Sequence, residues 1–192
     1  QLDATYEQLN AALGFKTSPV TGLWFNIYGG YQDLKNNLAS AAIANYSGSY
    51  LQLLQGNMHN IYAGAEASYS YKDIISFTAS GIYRDWKTAK TENNSGDQLL
   101  YYMPSFEANF KVDIRPISSV LINLGYQHIT REKIGNERVD PVGNLYLGGS
   151  YEVFEGISIY VRANNLLNKD YQYYPGYPTE GINFMGGVSF RF

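Results

Sequence analysis

Apolar and polar residues alternate with a period of two along most of the chain, which sends successive side chains to opposite faces of a half-exposed strand. The pattern predicts nine strands, at 5–15, 21–31, 60–71, 74–86, 99–113, 118–130, 143–154, 157–166 and 182–192. Helical periodicity is scarce, although "NNLASAAIANY" within 32–59 is compatible with a short helix or an extra hairpin. The connections alternate between two kinds. Short turns are expected at "TSPV" (17–20), "KD" (72–73), "RPIS" (115–118) and "EG" (155–156). Long, polar loops are expected at 32–59, 87–98, 131–142 and 167–181. Alternate connections of an up-and-down sheet lie at opposite ends, so one rim should carry tight turns and the other large loops. The expected fold is all-β, an antiparallel up-and-down meander of about nine strands.

The two rows of each strand differ in chemistry. On 60–71, Ile61, Ala63, Ala65, Ala67, Tyr69 and Tyr71 oppose Asn60, Tyr62, Gly64, Glu66, Ser68 and Ser70. On 99–113, the row Leu100 to Val112 opposes Ser105, Glu107, Asn109, Lys111 and Asp113. On 143–154, Leu145, Leu147, Gly149, Tyr151 and Val153 oppose Asn144, Tyr146, Ser150 and Glu152. On 157–166, Ile157, Ile159, Val161 and Ala163 oppose Ser158, Arg162 and Asn164. The mid-strand charges Glu66, Glu107, Lys111, Glu152 and Arg162 share the polar rows, and the exceptions, Asp85 and His128, fall at strand ends on the long-loop side.

Alternation does not say which row faces outward. A soluble barrel turns its apolar row inward and can hold a small apolar ligand there; a membrane barrel turns that row to lipid. Three features point to lipid. The apolar rows mix Ala and Gly with large aromatics, which fill a dry core poorly. Phe15, Tyr31, Tyr69, Tyr71, Tyr83, Trp86, Tyr101, Tyr102, Tyr151 and Phe154 gather near strand ends, as interfacial girdles require. Strands of about eleven residues, rising about 3.3 Å each and tilted near 45°, span about 26 Å, close to the apolar band of outer-membrane barrels. The rim asymmetry matches the short periplasmic turns and longer extracellular loops of that class.

Composition narrows the chemistry. The formal charge is −3 with no basic stretch, so nothing neutralises phosphates and no nucleic-acid partner is expected. There are no cysteines, which excludes disulfides and thiolate metal sites. No run of eighteen apolar residues appears, so no membrane-spanning helix is expected. Nineteen tyrosines accompany nineteen glycines, as suits a sheet with one polar face and one apolar, aromatic-flanked face.

Single-chain outer-membrane barrels use even strand numbers. Nine strands, with the last ending at the short-turn rim, start the first at the long-loop rim. The chain also opens on "QLDATYEQ", as a processed or excised chain does. The expectation is one barrel segment over 1–192, the C-terminal part of a larger transmembrane β-barrel.

The tail supports this reading by resemblance. "NNLLNKDY" (Asn164 to Tyr171), the Tyr/Pro/Gly loop after it, "GINFMGGVSF" and the final Phe192 resemble the C-terminal end of TonB-dependent outer-membrane receptors. The match covers about thirty residues, and "GLWFNIYGGYQD" and "GYQHITREK" are similar in a looser way. The resemblance implies a segment of a receptor for nutrient uptake in the outer membrane of a Gram-negative bacterium, supplying wall and extracellular loops. Its implied partners are outer-membrane lipid and the barrel-assembly machinery, read through Phe190 and the terminal Phe192. The family engages TonB through an N-terminal segment and plug domain, neither visible in this sequence. A self-standing small outer-membrane barrel, acting as pore, adhesin or structural protein, is the alternative beside the soluble barrel.

Candidate chemistry is sparse. His59 lies in "QGNMHN", read as loop, and His128 at a strand end with its parity toward lipid; neither has a convincing serine or acid beside it, so no enzyme is expected. Glu92 and Asp97 in "TENNSGDQ" lack the spacing of a calcium loop, and no metal or cofactor is expected. Tyr171, Tyr173, Tyr174 and Tyr177 in "DYQYYPGYP" are the ligand-contact candidates, because tyrosine offers a large amphipathic surface. Glu66, Glu107, Lys111 and Arg162 are expected to form a charge network inside the barrel or against a plug.

Overall fold

A computed structural model describes residues 3–45, 48–88, 99–100, 103–133, 136, 138–174 and 177–191, with side chains outside 39–54 and 174. Nine strands form one antiparallel sheet in chain order: β1 (Tyr6–Val20), β2 (Leu23–Asn45), β3 (Gly48–Tyr71), β4 (Ile75–Thr88), β5 (Pro104–Ile117), β6 (Val120–Arg131), β7 (Val142–Phe154), β8 (Ile157–Asn164) and β11 (Asn183–Phe190). A short pair, β9 (Gln172–Tyr174) and β10 (Tyr177–Pro178), lies in the last long loop and was not foreseen. The meander of about nine strands is thus observed, and among the described residues the edges β1 and β11 have no further strand partner.

Several boundaries move. "TSPV" is not a turn: β1 continues to Val20, and the chain reverses at Thr21–Gly22. "RPI" likewise stays in β5, with the turn at Ser118–Ser119. Gly22 and Gly156 take φ of +85° and +82°, which an L side chain rarely adopts, and a Cβ on either would strike the facing carbonyl of Ser70 or Arg191. The 32–59 segment holds neither helix nor extra hairpin. It extends β2 and β3 as one long ladder to Asn45↔Gly48, interrupted by a bulge between Leu34 and Asn37. Its Ala- and Leu-rich run pairs as strand because a partner of equal length lies beside it, and cross-strand pairing outweighs local helix propensity. Strand β5 starts at Pro104 rather than 99; residues 99–100 are helical, and Leu99 is buried. The reversals at 46–47 and within 89–98 lie outside the described residues.

The register keeps the two rows on separate faces across the sheet. One row runs Ala67↔Ala79↔Phe110↔Tyr126↔Leu145, and its neighbour on the opposite face runs Glu66↔Ser80↔Asn109↔Gln127↔Asn144. On the apolar face the large side chains are open: Leu13 is 87% exposed, Phe184 74% and Val161 60%. The dry clusters lie elsewhere, on the polar face at the long-loop rim. Met58, Trp86 and Leu99 form one, with Leu34, Leu100 and Met103 packed against it. Ile129, Val142 and Tyr171 form the other. Trp86 is therefore no girdle residue: it points to the polar face, is buried, and donates from Nε1 to the Pro104 carbonyl at 2.9 Å. Phe15, Tyr69, Tyr71, Tyr151 and Phe154 do stand exposed toward the short-turn rim, and Tyr83 toward the long-loop rim. Tyr101 and Tyr102 lie outside the described residues.

Candidate functional site

The polar face carries a connected set of side chains. Arg84 pairs with Glu107 across β4 and β5, and Lys111 Nζ lies 2.9 Å from Asp113 Oδ2. Arg162 donates from Nε to Asn164 Oδ1 at 2.8 Å while its guanidinium lies 4.1 Å over the Tyr146 ring. Glu66 accepts from Asn26 Nδ2 at 3.5 Å. Nearer the long-loop rim, Asn60 Nδ2 donates to Gln32 Oε1 at 2.9 Å, Gln32 Nε2 donates to Glu7 Oε2 at 2.5 Å, and Tyr62 OH donates to Asn10 Oδ1 at 3.0 Å. The expected charges Glu66, Glu107, Lys111 and Arg162 thus share one face, and amides link more of the network than charge pairs do.

Tyrosines occupy this face through a packing rule that sequence patterning did not reveal. Tyr28 lies across Gly64, Tyr62 across Gly30, Tyr146 across Gly125 and Tyr160 across Gly187, each glycine on an adjacent strand. A Cβ at Gly64, Gly125 or Gly187 would push the ring tip aside, and one at Gly30 would also strike the Ala11 carbonyl, so these glycines let the rings lie close over the sheet.

At the rim, Asn165 ties down the last long loop. It ends β8 with φ of +51°, is 1% exposed, and its amide donates to the carbonyls of Lys169 and Glu180, both at 3.0 Å. Its Oδ1 accepts from the Lys169 N–H at 3.1 Å, and its own N–H donates to Asn144 Oδ1 at 2.9 Å. Asparagine tolerates this left-handed backbone and supplies donors and an acceptor at once, which is why "NNLLNKDY" is rich in it. The knot brings Tyr171 and Tyr173 back over the polar face. Tyr171 packs with Ile129 and Val142, and burial followed by the neighbouring Tyr173 pushes its hydroxyl pKa up to about 12. Tyr173 OH donates to Gln127 Oε1 at 2.8 Å. Arg131 Nη2 donates to the Gln172 carbonyl at 2.9 Å. Tyr177 stands 75% exposed. Beside them is a polar recess of about 300 Å³ lined by Arg138, Asp140, Asp170, Tyr171, Gln172 and Pro178. Burial, and then Asp85, raises the Glu132 carboxyl pKa at the same rim.

The structure therefore divides the four candidate tyrosines: Tyr171 and Tyr173 pack on the sheet, Tyr177 is exposed, and the side chain of Tyr174 lies outside the described residues. His59 is in β3, not in a loop, and with His128 it projects from the apolar face. His59 packs beside Tyr31 at 5.7 Å between centroids, and His128 lies 3.0 Å from Thr130 Oγ1 and 3.4 Å from Tyr126 OH. Neither has an acid and a nucleophile aligned with it. Among the described residues no cluster of three His, Asp or Glu is placed to hold a metal. Glu92, Asp97 and Phe192 lie outside the described residues; Phe190 is exposed on β11, opposite Ile157.

No family model and no curated protein matches the sequence. Solved structures do match in shape. The copper transporter OprC superposes over 95% of this chain with a TM-score of 0.71 at 18% identity, and the ferric-catecholate import receptor Fiu from E. coli K12 over 95% with 0.67 at 14%. The chain shares the β-sheet fold of these outer-membrane barrel walls. It spans 31% of OprC and 27% of Fiu. The outer-membrane OmpT of Vibrio cholerae is similar over 94% of the chain, with a TM-score of 0.60 at 15% identity and 55% of its own length covered. Barrel walls of this kind carry an outward apolar band and a polar interior. In this chain Glu66, Glu107, Tyr146 and Arg162 share the polar face, and Tyr171 and Tyr173 pack over it.

Proposed function

We propose that the chain is a segment of the wall of an outer-membrane receptor or transporter for nutrient uptake, with its long loops at the extracellular mouth. The observation that carries this reading is the inverted burial: the greasy face is exposed, while the dry clusters sit beneath loops on the polar face. In water, such an apolar face exceeds what a monomer tolerates, whereas lipid accepts it. The same observation disfavours a soluble barrel closed around an apolar ligand.

The edges support membership of a larger cylinder. β1 and β11 both run from the long-loop rim to the short-turn rim. Antiparallel closure between them therefore takes an odd number of further strands, and the nine alone do not close as a small pore. Energised uptake in this class passes through a plug that engages TonB, so the role of the present residues is wall and loops. Phe190 and Phe192 serve as the signal for the barrel-assembly machinery. Within the loops we assign Tyr177 to ligand contact, with Tyr171 and Tyr173 holding the loop that presents it. OprC and Fiu are named for copper and ferric-catecholate cargo; here the polar recess by Tyr171 suits a polar solute that accepts and donates hydrogen bonds.

The absence of cysteine permits a direct test. Single-cysteine variants Val161→Cys, on the apolar face, and Asn109→Cys, on the polar face, are inserted in phosphatidylcholine vesicles. A water-soluble maleimide is expected to label Cys at 109 and spare Cys at 161. The reverse pattern overturns the reading.

A further inference from the structure

Lys169 belongs to the loop after β8, yet its side chain doubles back over the apolar face of β7. Gly143 leaves a notch there, opposite His128 in the register. A Cβ built on Gly143 would lie 3.5 Å from Lys169 Cδ, 3.9 Å from its Nζ and 3.4 Å from Tyr126 OH. The Tyr126 and His128 rings stack with centroids 6.2 Å apart, and Thr130 Oγ1 completes the group at 3.0 Å from His128 Nε2. The lysine backbone is held by Asn165 at both its N–H and its carbonyl, so the ammonium is delivered to this place by the loop knot.

This ammonium differs from its neighbours. Lys35 and Lys87, on the same face and rim, pair with Asp33 at 3.0 Å and Asp85 at 3.1 Å. Lys169 forms no ion pair among the described residues. Glu132, just past the end of β6, feels Asp85, Lys87 and Arg138. Directly toward the sheet centre the surface turns apolar, with Tyr126↔Leu145 and Leu124↔Leu147 in register. An unneutralised cation, two hydroxyls and an imidazole therefore sit at the upper border of a greasy wall.

Resting on the outward orientation proposed above, we propose that Lys169, Tyr126, His128 and Thr130 frame a site for the phosphate headgroup of a membrane lipid. The phosphate oxygens lie against the Lys169 ammonium, whose side chain fills the notch at Gly143, and the acyl chains descend along Leu124, Leu145 and Leu147. A phosphate takes a cation and neutral donors, and its attached chains take an apolar wall below; the two meet here. The "K" of "NKDY" thus faces lipid, while the "Y" two residues later faces the inner wall.

The test measures lipid adducts by native mass spectrometry on the full chain, in detergent micelles doped with equal phosphatidic acid and phosphatidylcholine. Wild type is expected to retain phosphatidic acid preferentially. Lys169→Ala should lower that preference about fivefold, the effect of one cation beside an anionic headgroup, and Lys169→Arg should keep it. Lys72→Ala, at the opposite rim, should leave it unchanged. An unaltered preference in Lys169→Ala overturns the site, as does displacement of the lipid by inorganic phosphate at matched concentration, which marks a free-anion site. The cysteine-labelling pattern separates the two failures. If it stands while Lys169→Ala is silent, only this site is lost; if it is reversed, the site falls with the orientation.

Discussion

Val142 and Val161 lie on adjacent strands of one sheet, yet Val142 is 0% exposed and Val161 60%. Val142 is on the polar face, under the inward-leaning loop beside Ile129 and Tyr171; Val161 is on the apolar face among residues of its own kind. In an ordinary soluble sheet the exposures would be the other way round. The contrast shows that burial on this wall follows the loops, whereas hydrophobicity follows the solvent that the face was built for. The large apolar residues of the polar face are dry where they pack in the rim clusters, whereas on the apolar face Lys169 reaches only the rim at Gly143 and the large side chains nearer the middle stay open.

The contrast can be broken most forcefully at the rim. Trp86→Ala removes the largest member of a covered cluster and is expected to cost about 3–5 kcal/mol, read from denaturant unfolding of the chain in vesicles. A loss below about 1 kcal/mol would mean that the cluster does not stabilise the fold. Next comes the exposed face. Phe110→Arg, near the middle of β5, should cost about 2–4 kcal/mol in a bilayer, while Asn109→Arg on the opposite face should stay within about 0.5 kcal/mol. Equal costs for these neighbours would erase the distinction between the faces. Asn165→Ala removes three side-chain hydrogen bonds and places alanine at positive φ, an expected loss of about 2 kcal/mol. Faster proteolysis within 166–182, with the strands intact, is the readout; unchanged cleavage would show that the knot does not hold the loop.

The smallest effect is a titration. The Tyr171 hydroxyl is raised from 10 to about 12, so the folded loop favours its neutral form. Its contribution is complete below pH 10 and lost as pH rises through about 12. Ultraviolet titration should show a late-titrating tyrosine that disappears in Tyr171→Phe, with the loop losing protease resistance over the same window. If Tyr171→Phe leaves the titration curve unchanged, Tyr171 is not the covered residue.

The meander and the identity of its two faces were legible because a strand's side-chain period is two, and one wrong register would mix Glu66 with Ala67. The tight turns at Lys72–Asp73 and Glu155–Gly156 were legible, each carrying a residue that tolerates positive φ, Asp73 and Gly156. Harder to read was 32–59, where Ala, Leu and Asn satisfy helix or loop equally well and pairing with an equal partner decides. Trp86 misled because an aromatic near a strand end suits a girdle or a rim cluster alike. The tyrosine loop was found as a candidate, but its division into anchors and a free residue depends on which ring meets Ile129 and Val142.

By itself the chain's alternation determined the sheet, its connections in outline and the chemistry of each face, since these depend on residues two apart. Tertiary structure alone decided which loop leans inward, which tyrosines lie over glycines on the next strand, and that Lys169 returns to the outer wall. Those contacts join residues far apart in sequence, and no local period encodes them. Their positions follow from register and from Asn165, whose buried amide must find its partners wherever the folded chain brings them.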